Sequence, residues 1–343
     1  MMAERDQLGS RRRTVLGLVI REYVAGAQPV GSQHLVKRYG LGYSPATVRN
    51  ELAALEKSGY LTHPHTSAGR VPTEKGYRFF VEHLLAEAPL PLSDQRMIRH
   101  QFHQSRLEME QWVHLAAAVL ANTTRSAALA TVPKALCCHF KHLELISVRD
   151  NVVLLVLVLL GGTVKQQVLH MEQPLSQEAL SRLSNQLNDV LAQADAKEIE
   201  TRLAHMSALA IQVGQLVADT MRQIDCRASD RIFSEGLTHL LSEPEFADSE
   251  EARRVVQVLE QRPLLDTILQ EMRERQGVQV LIGGEGRWEE LSQASLVLSS
   301  YGIEEVSGIL GVLGPLRMTY SRTISTVRYV ADLMSGLVQE WYG

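Results

Sequence analysis

The sequence predicts an α+β multidomain chain: an N-terminal winged helix-turn-helix, then a mixed α/β sheet domain interrupted by a largely helical insertion. Three observations carry this. Residues 44–61 spell one helix with both ends marked and a strand directly behind it. Strand-like runs punctuated by tight-turn pairs occupy 140–170 and recur at 278–312, with helical sequence between them. Charge is unevenly divided: residues 1–85 hold 12 Lys and Arg against 7 Asp and Glu, whereas the remainder holds 23 against 32. A basic module on an acidic body suits one part facing phosphate and another facing water or protein.

The first helix follows from the spacing of Val15, Leu16, Val19, Ile20 and Tyr23, and ends near Gly26 and Pro29. Ser32 is placed to cap a second helix carrying Leu35, Val36 and Tyr39, and Gly40-Leu41-Gly42 turns the chain into Ser44. In the third helix Ser44 suits the N-cap and Pro45 the first helical position. Val48, Leu52 and Leu55 share one face, and Gly59 suits the left-handed residue that stops a helix. Tyr60–His63 and Arg70–Val71 read as two strands joined by a turn over 64–69, which makes a wing. Thr73 caps a fourth helix through Tyr77, Phe80, Val81 and Leu84.

This order predicts DNA contacts of three kinds. Thr47, Arg49 and Asn50 are placed to reach base edges in a major groove, and Ser44 and Ala46 at the same helix tip are placed to contact the DNA. His63, His65, Thr66, Ser67 and Arg70 are placed on the wing for phosphate or an adjacent groove. Ser32 and Arg11-Arg12-Arg13 are placed for phosphate, although the triplet alone equally fits a solvated terminus. Three helices and a hairpin also serve as protein-binding modules; the positive charge favours DNA.

Ala88-Pro89-Leu90-Pro91-Leu92 reads as a linker, and Ser93 as the cap of one long helix to about Ala121. Strands are expected at Phe140–Ser147, Val152–Leu160 and Thr163–His170, with turns at Asp150-Asn151 and Gly161-Gly162. A helix starts at Ser176 or Ser181. Later strands fall at Arg231–Phe233, Val278–Ile282, Ala294–Ser299 and Glu305–Val312, before a terminal helix over Ser321–Tyr342. The helices between the strand blocks either cover the sheet or form an inserted domain, and insertion is the simpler account. The expected domains are 1–88 for DNA binding, 89–122 as linker and connecting helix, 123–195 and 275–343 as the two parts of the sheet domain, and 196–274 as the insertion.

Nothing marks an enzyme. Gly283-Gly284-Glu285-Gly286 lacks the Lys-Ser/Thr of a phosphate loop and reads as a turn after a strand. Gly311–Pro315 suits a strand end or bulge. Cys137-Cys138-His139 reads as apolar filler rather than a metal or reactive site, and Cys226 stands alone. No cofactor and no metal are expected. The longest apolar run, Val152–Leu160, is too short to span a bilayer, and the N-terminus lacks the apolar core of a signal peptide. A soluble cytoplasmic protein with no membrane partner is the expectation.

The segment Ser44–Val81, SPATVRNELAALEKSGYLTHPHTSAGRVPTEKGYRFFV, closely resembles the N-terminal signature of the HrcA family, heat-inducible transcription repressors of bacteria. Gly308–Tyr320, GILGVLGPLRMTY, resembles that family's second signature, and Gly236-Leu237 with Pro244-Glu245-Phe246 resembles its central region. The loop Gly284-Glu285-Gly286-Arg287 departs from the family's acidic-Asn pair. The resemblance implies a winged helix, a GAF-like domain and an inserted dimerising domain within it. It also implies a homodimer on double-stranded DNA at an inverted repeat called CIRCE, upstream of chaperone operons, with the GroEL/GroES chaperonin supporting the active repressor. The alternative is a metabolite-responsive regulator that uses the GAF-like domain as its effector site.

Overall fold

The computed structural model describes residues 8–64, 69–85, 88–103, 108–135, 138–160, 162–226, 231–246, 249–260, 265, 267–269, 271, 277–303 and 306–342. These form a mixed α/β protein with several sheets, divided into two compact units: 1–132 with 231–302 and 308–343, and 133–230 with 303–307.

The first unit opens with α1 (Ser10–Gly26), α2 (Ser32–Tyr39) and α3 (Pro45–Lys57). Val15, Leu16 and Ile20 of α1, Leu35 of α2, and Val48 and Leu55 of α3 are fully buried among one another. Burying each such side chain contributes about 1.5–3 kcal/mol, so the module is held by its aliphatic centre. The strands β1 (Leu61–Thr62) and β2 (Val71–Pro72) pair antiparallel. On the other side of β2, Val30 and Arg70 exchange backbone hydrogen bonds of 2.9 Å each way. A Cβ on Gly69 would stand 2.6 Å from the Val30 backbone, so this close approach needs glycine. Then α4 (Glu74–Phe79), capped by Thr73, runs into a π-helical turn at Phe80–Leu84.

The chain continues through α5 (Leu92–His103), α6 (Met109–Thr124), β3 (Ala127–Thr131), β4 (Lys134–Ala135), β5 (Phe140–Arg149), β6 (Val152–Leu159) and β7 (Val164–His170). Next come α7 (Gln177–Leu191), α8 (Ala196–Arg202), α9 (Ala208–Cys226), β8 (Ile232–Glu235), α10 (Leu237–Leu241) and α11 (Ser249–Glu260). Last are β9 (Val278–Ile282), β10 (Ala294–Gly302), β11 (Val306–Pro315) and α12 (Tyr320–Tyr342).

In the first unit the strand order is β8-β3-β11-β10-β9, with α12 along β10 and α6 against β3 and β8. Two expectations change here. The long helix from Ser93 is two helices: Ser93 lies inside the first turn of α5, and α6 begins at its own capping box of Glu108 and Gln111. Strand β3 was not foreseen. The stretch Gly311–Pro315 is the end of β11, and a Cβ on Gly311 would meet the Val297 oxygen at 2.5 Å, so this close approach needs glycine. Residues 231–302 fall in this compact unit.

The second unit is an antiparallel meander, β5-β6-β7, hydrogen-bonded as a sheet of its own. The strands at 140–170 therefore do not join the later strands, as the sequence reading had assigned them. Their short connections make each strand the nearest available partner of the next. Leu143, Leu145, Val153, Leu155 and Leu157 pack one face of this sheet against Leu183, Leu187, Ile199, Val213 and Val217 of α7–α9. Ser176 is the cap of α7, accepting a 3.3 Å hydrogen bond from the Ala179 N–H.

Candidate nucleic-acid interface

Helix α3 is built as its sequence spells it. The Thr47 N–H donates to Ser44 Oγ at 3.1 Å, and the two hydroxyls lie 3.0 Å apart. The C-terminal end is closed by its neighbours. Gly59 takes φ +77°, the Thr73 hydroxyl donates to the Gly59 carbonyl at 2.6 Å, and Lys75 Nζ donates to the Ser58 carbonyl at 3.1 Å. Orphan carbonyls at a helix end are costly when buried, so these bonds also fix α3 relative to α4.

Three carboxylates that sequence reading passed over tie the module together. Glu22 of α1 accepts from the Tyr39 hydroxyl at 2.6 Å, lies 2.6 Å from His34 Nε2, and pairs with Arg38 at 2.9 Å, joining α1 to α2. Glu51 of α3 pairs with Arg12 at 2.9 Å and Arg11 at 3.6 Å, joining α3 to α1. Glu56 of α3 pairs with Arg70 at 2.7 Å and with His63, joining α3 to both sides of the hairpin. The only sequence signal for them was acidic residues inside a basic module. Hydrogen bonds from Tyr39 and His34 hold the Glu22 carboxyl below its ordinary range. Burial acts to raise the Glu56 carboxyl, but the His63 hydrogen bond and the Arg70 charge outweigh it, and the group is lowered.

The predicted contact residues fall into distinct situations. Ser44, Ala46, Arg49 and Asn50 are exposed along one side of the α3 tip, with Thr47 half-buried beside them. Among the described residues Arg49 and Asn50 meet no side-chain partner, unlike Arg11, Arg12, Arg38 and Arg70. His63 and Arg70 flank the hairpin but share Glu56. Ser32 does not cap α2: Gly31 holds the N-cap position, and the Ser32 side chain is only 7% exposed. His65, Thr66 and Ser67 lie outside the described residues. Arg11 also stacks over the Tyr43 ring at 4.7 Å.

Elsewhere in the first unit, the stretches at 236–246 and 308–320 meet. Arg317 pairs with Glu243 and Glu245. Tyr77 of α4 and Tyr320 of α12 lie with ring centroids 5.9 Å apart, and burial raises both phenols far above their ordinary range. The loop after β9 is a turn, with Gly283, Gly284 and Glu285 all at positive φ, and Glu285 pairs with Arg78 of α4. Cys138 is half-buried, its N–H donating to Asp225 at 2.8 Å, and Cys137 is outside the described residues. Among the described residues no His, Cys, Asp and Glu cluster gathers that suits a metal ion, and no helix is long and apolar enough to cross a membrane.

Proteins similar to this chain over nearly its whole length are transcription repressors. One from Roseiflexus castenholzii, named heat-inducible transcription repressor HrcA, is 48% identical, covering 98% of this chain and 96% of that protein. Another of that name, from Herpetosiphon aurantiacus, is 47% identical over 98% of this chain and 97% of its own. A crystal structure described as a hypothetical protein shares the fold, with a TM-score of 0.57 at 24% identity, covering 97% of this chain and 98% of that one. The class is thus a transcription repressor and not an enzyme. Residues 110–324 match the family model for the HrcA protein C terminal domain, and the chain belongs to the HrcA family of heat-inducible repressors.

Proposed function

We propose that residues 1–88 form a winged-helix DNA-binding domain whose α3 tip enters the major groove of an inverted-repeat operator. The observation that carries this is the contrast between free and held cations. Among the described residues Arg49 and Asn50 meet no side-chain partner on the exposed tip, while carboxylates hold Arg11, Arg12 and Arg70 in place. Free guanidinium and amide groups at a helix tip suit bidentate base contacts. In this reading Arg49, Asn50 and Thr47 touch bases, with Ser44 and Ala46 close to the backbone. His63, His65, Thr66, Ser67 and Arg70 flank the groove, and Arg11–Arg13, with the backbone at the start of α2 at Ser32, serve phosphate.

The sheet of β8, β3, β11, β10 and β9, with α6 and α12, is the GAF-like domain, and 133–230 rather than 196–274 is the dimerising insertion. Two features support self-association there. The face of β6 away from the core is entirely aliphatic, Val152, Leu154, Val156 and Val158, and is extended by exposed Ile146, Val164 and Val168. The free edge of β5 is closed by α7: Asn188, Ser184 and Gln177 bond the backbone at Leu143, Leu145 and Ser147. An uncovered aliphatic face of this extent marks an association surface. A two-fold dimer then matches a palindromic operator of the CIRCE type in front of chaperone operons, in the cytoplasm, with GroEL/GroES chaperonin maintaining the active state.

Footprinting on the region upstream of the same genome's chaperonin operon tests this, with bulk DNA as competitor. Protection of an inverted repeat at competitor excess is expected; equal displacement by bulk DNA would refute sequence-specific repression. Operator affinity after heating, with and without chaperonin, tests the last element, and full affinity retained without chaperonin would count against it.

A further inference from the structure

A cavity of about 450 Å³ lies under α1, between the π-helical turn and the start of α12. It is a half-open groove, and its volume falls within the range of small-molecule sites. Its floor is apolar, formed by Ile20, Phe80, Leu84 and Met318. Its rim is polar, with Arg21, Thr319 and Ser321. Arg21 is exposed, and among the described residues its guanidinium meets no carboxylate, unlike Arg11 and Arg12 on the same helix. The backbone at Phe80–Leu84 is a single π-helical turn, a form often found at functional sites. It supplies two of the four apolar floor residues.

An apolar floor with a cation that meets no carboxylate among the described residues, and two hydroxyls at its mouth, complements an amphiphile with a hydrocarbon body and an anionic head. A neutral or cationic ligand leaves the guanidinium unanswered. We infer that this cavity binds a medium-chain carboxylate, its chain against Phe80, Leu84 and Met318 and its head group on Arg21. Such a ligand would contact α1, the helix that Arg11 and Arg12 tie to Glu51 of α3.

Calorimetry of the full-length protein with decanoate, and with decanol as the uncharged control, tests this. Saturable decanoate binding tighter than decanol is expected. Arg21→Gln should weaken decanoate about tenfold or more, as for one lost charge-assisted hydrogen bond, and leave decanol unchanged. Ala25→Trp at the rim and Leu84→Trp at the floor should each block both ligands, with circular dichroism confirming that the variant is folded. Absence of saturable binding, equal affinity for the two probes, or decanoate binding indifferent to Arg21→Gln would overturn the assignment. So would binding that survives both tryptophan substitutions in folded protein.

Discussion

Glu56 on α3 and Arg70 on the hairpin face each other at 2.7 Å, and the same carboxylate also holds His63 across the hairpin. A surface pair of this kind, each side chain about a quarter exposed, contributes little stability, about 0–1 kcal/mol. Its consequence is geometric: the hairpin and the helix tip are presented together, so two contact surfaces share one orientation.

Arg70→Ala is expected to weaken binding to all DNA and to flatten the salt dependence by about one unit of slope. Glu56→Gln removes the tether but no cation, so it should lower affinity with the slope unchanged. Operator affinity across a salt series separates the two. An unchanged slope for Arg70→Ala would mean that its guanidinium serves only the tether.

Arg49→Ala should cost about 1–3 kcal/mol of operator binding and relax the preference at one position per half-site. Competition among single-base operator variants reads this directly. Equal losses on specific and random DNA would make Arg49 a phosphate clamp instead.

The lowered carboxyls of Glu22 and Glu56 set the sign of a pH effect. A folded-state pKa below the unfolded one contributes stability that is present above the unfolded value, about 4.3 for Glu, and lost as pH falls through the folded value. Stability of the N-terminal module should therefore decline as acid passes below that range. Glu22→Gln with Glu56→Gln should remove this part of the decline. Urea unfolding at neutral and acid pH checks it, and an identical acid sensitivity in the double variant would contradict it.

Gly76→Ala places a methyl 2.2 Å from the Tyr60 carbonyl oxygen, where α4 crosses the strand end. Overpacking of this kind costs about 1–3 kcal/mol, and a lower Tm with weakened operator binding is the expected result. Unchanged unfolding would mean that α4 can shift without loss.

Val164→Glu with Val168→Glu puts charge on the uncovered face of β7, where both valines are more than half exposed. The monomer should fold as before, but sedimentation should show dimer dissociation at concentrations where the parent chain stays associated. Operator affinity should fall with it, since the two half-sites are then bound independently. A dimer of parental stability would place the interface elsewhere.

The α3 segment was legible because its determinants lie within a few residues of one another: a capping serine, Pro45, three aliphatic groups at helical spacing, and Gly59. Strands β5, β6, β7 and β9 were legible for the same reason, through apolar runs, alternation and turn residues. Strand β3 was not. Ala127-Ala128-Leu129-Ala130-Thr131 has little β propensity, and it is a strand because β8 and β11 flank it and all five residues are buried. Likewise, nothing local to Glu22, Glu51 or Glu56 names its partner: Arg12 and Glu51 are 39 residues apart in sequence.

By itself, then, the sequence determined the helix with its polar tip, the hairpin beside it, the positions of most strands and the family. Only the tertiary structure decided which strands share a sheet, where the chain divides into units, and which cations among the described residues are held by carboxylates. Periodicity reports which face of an element is buried but not against what. Partner choice depends on groups far away in the chain meeting in space, and no local pattern encodes it.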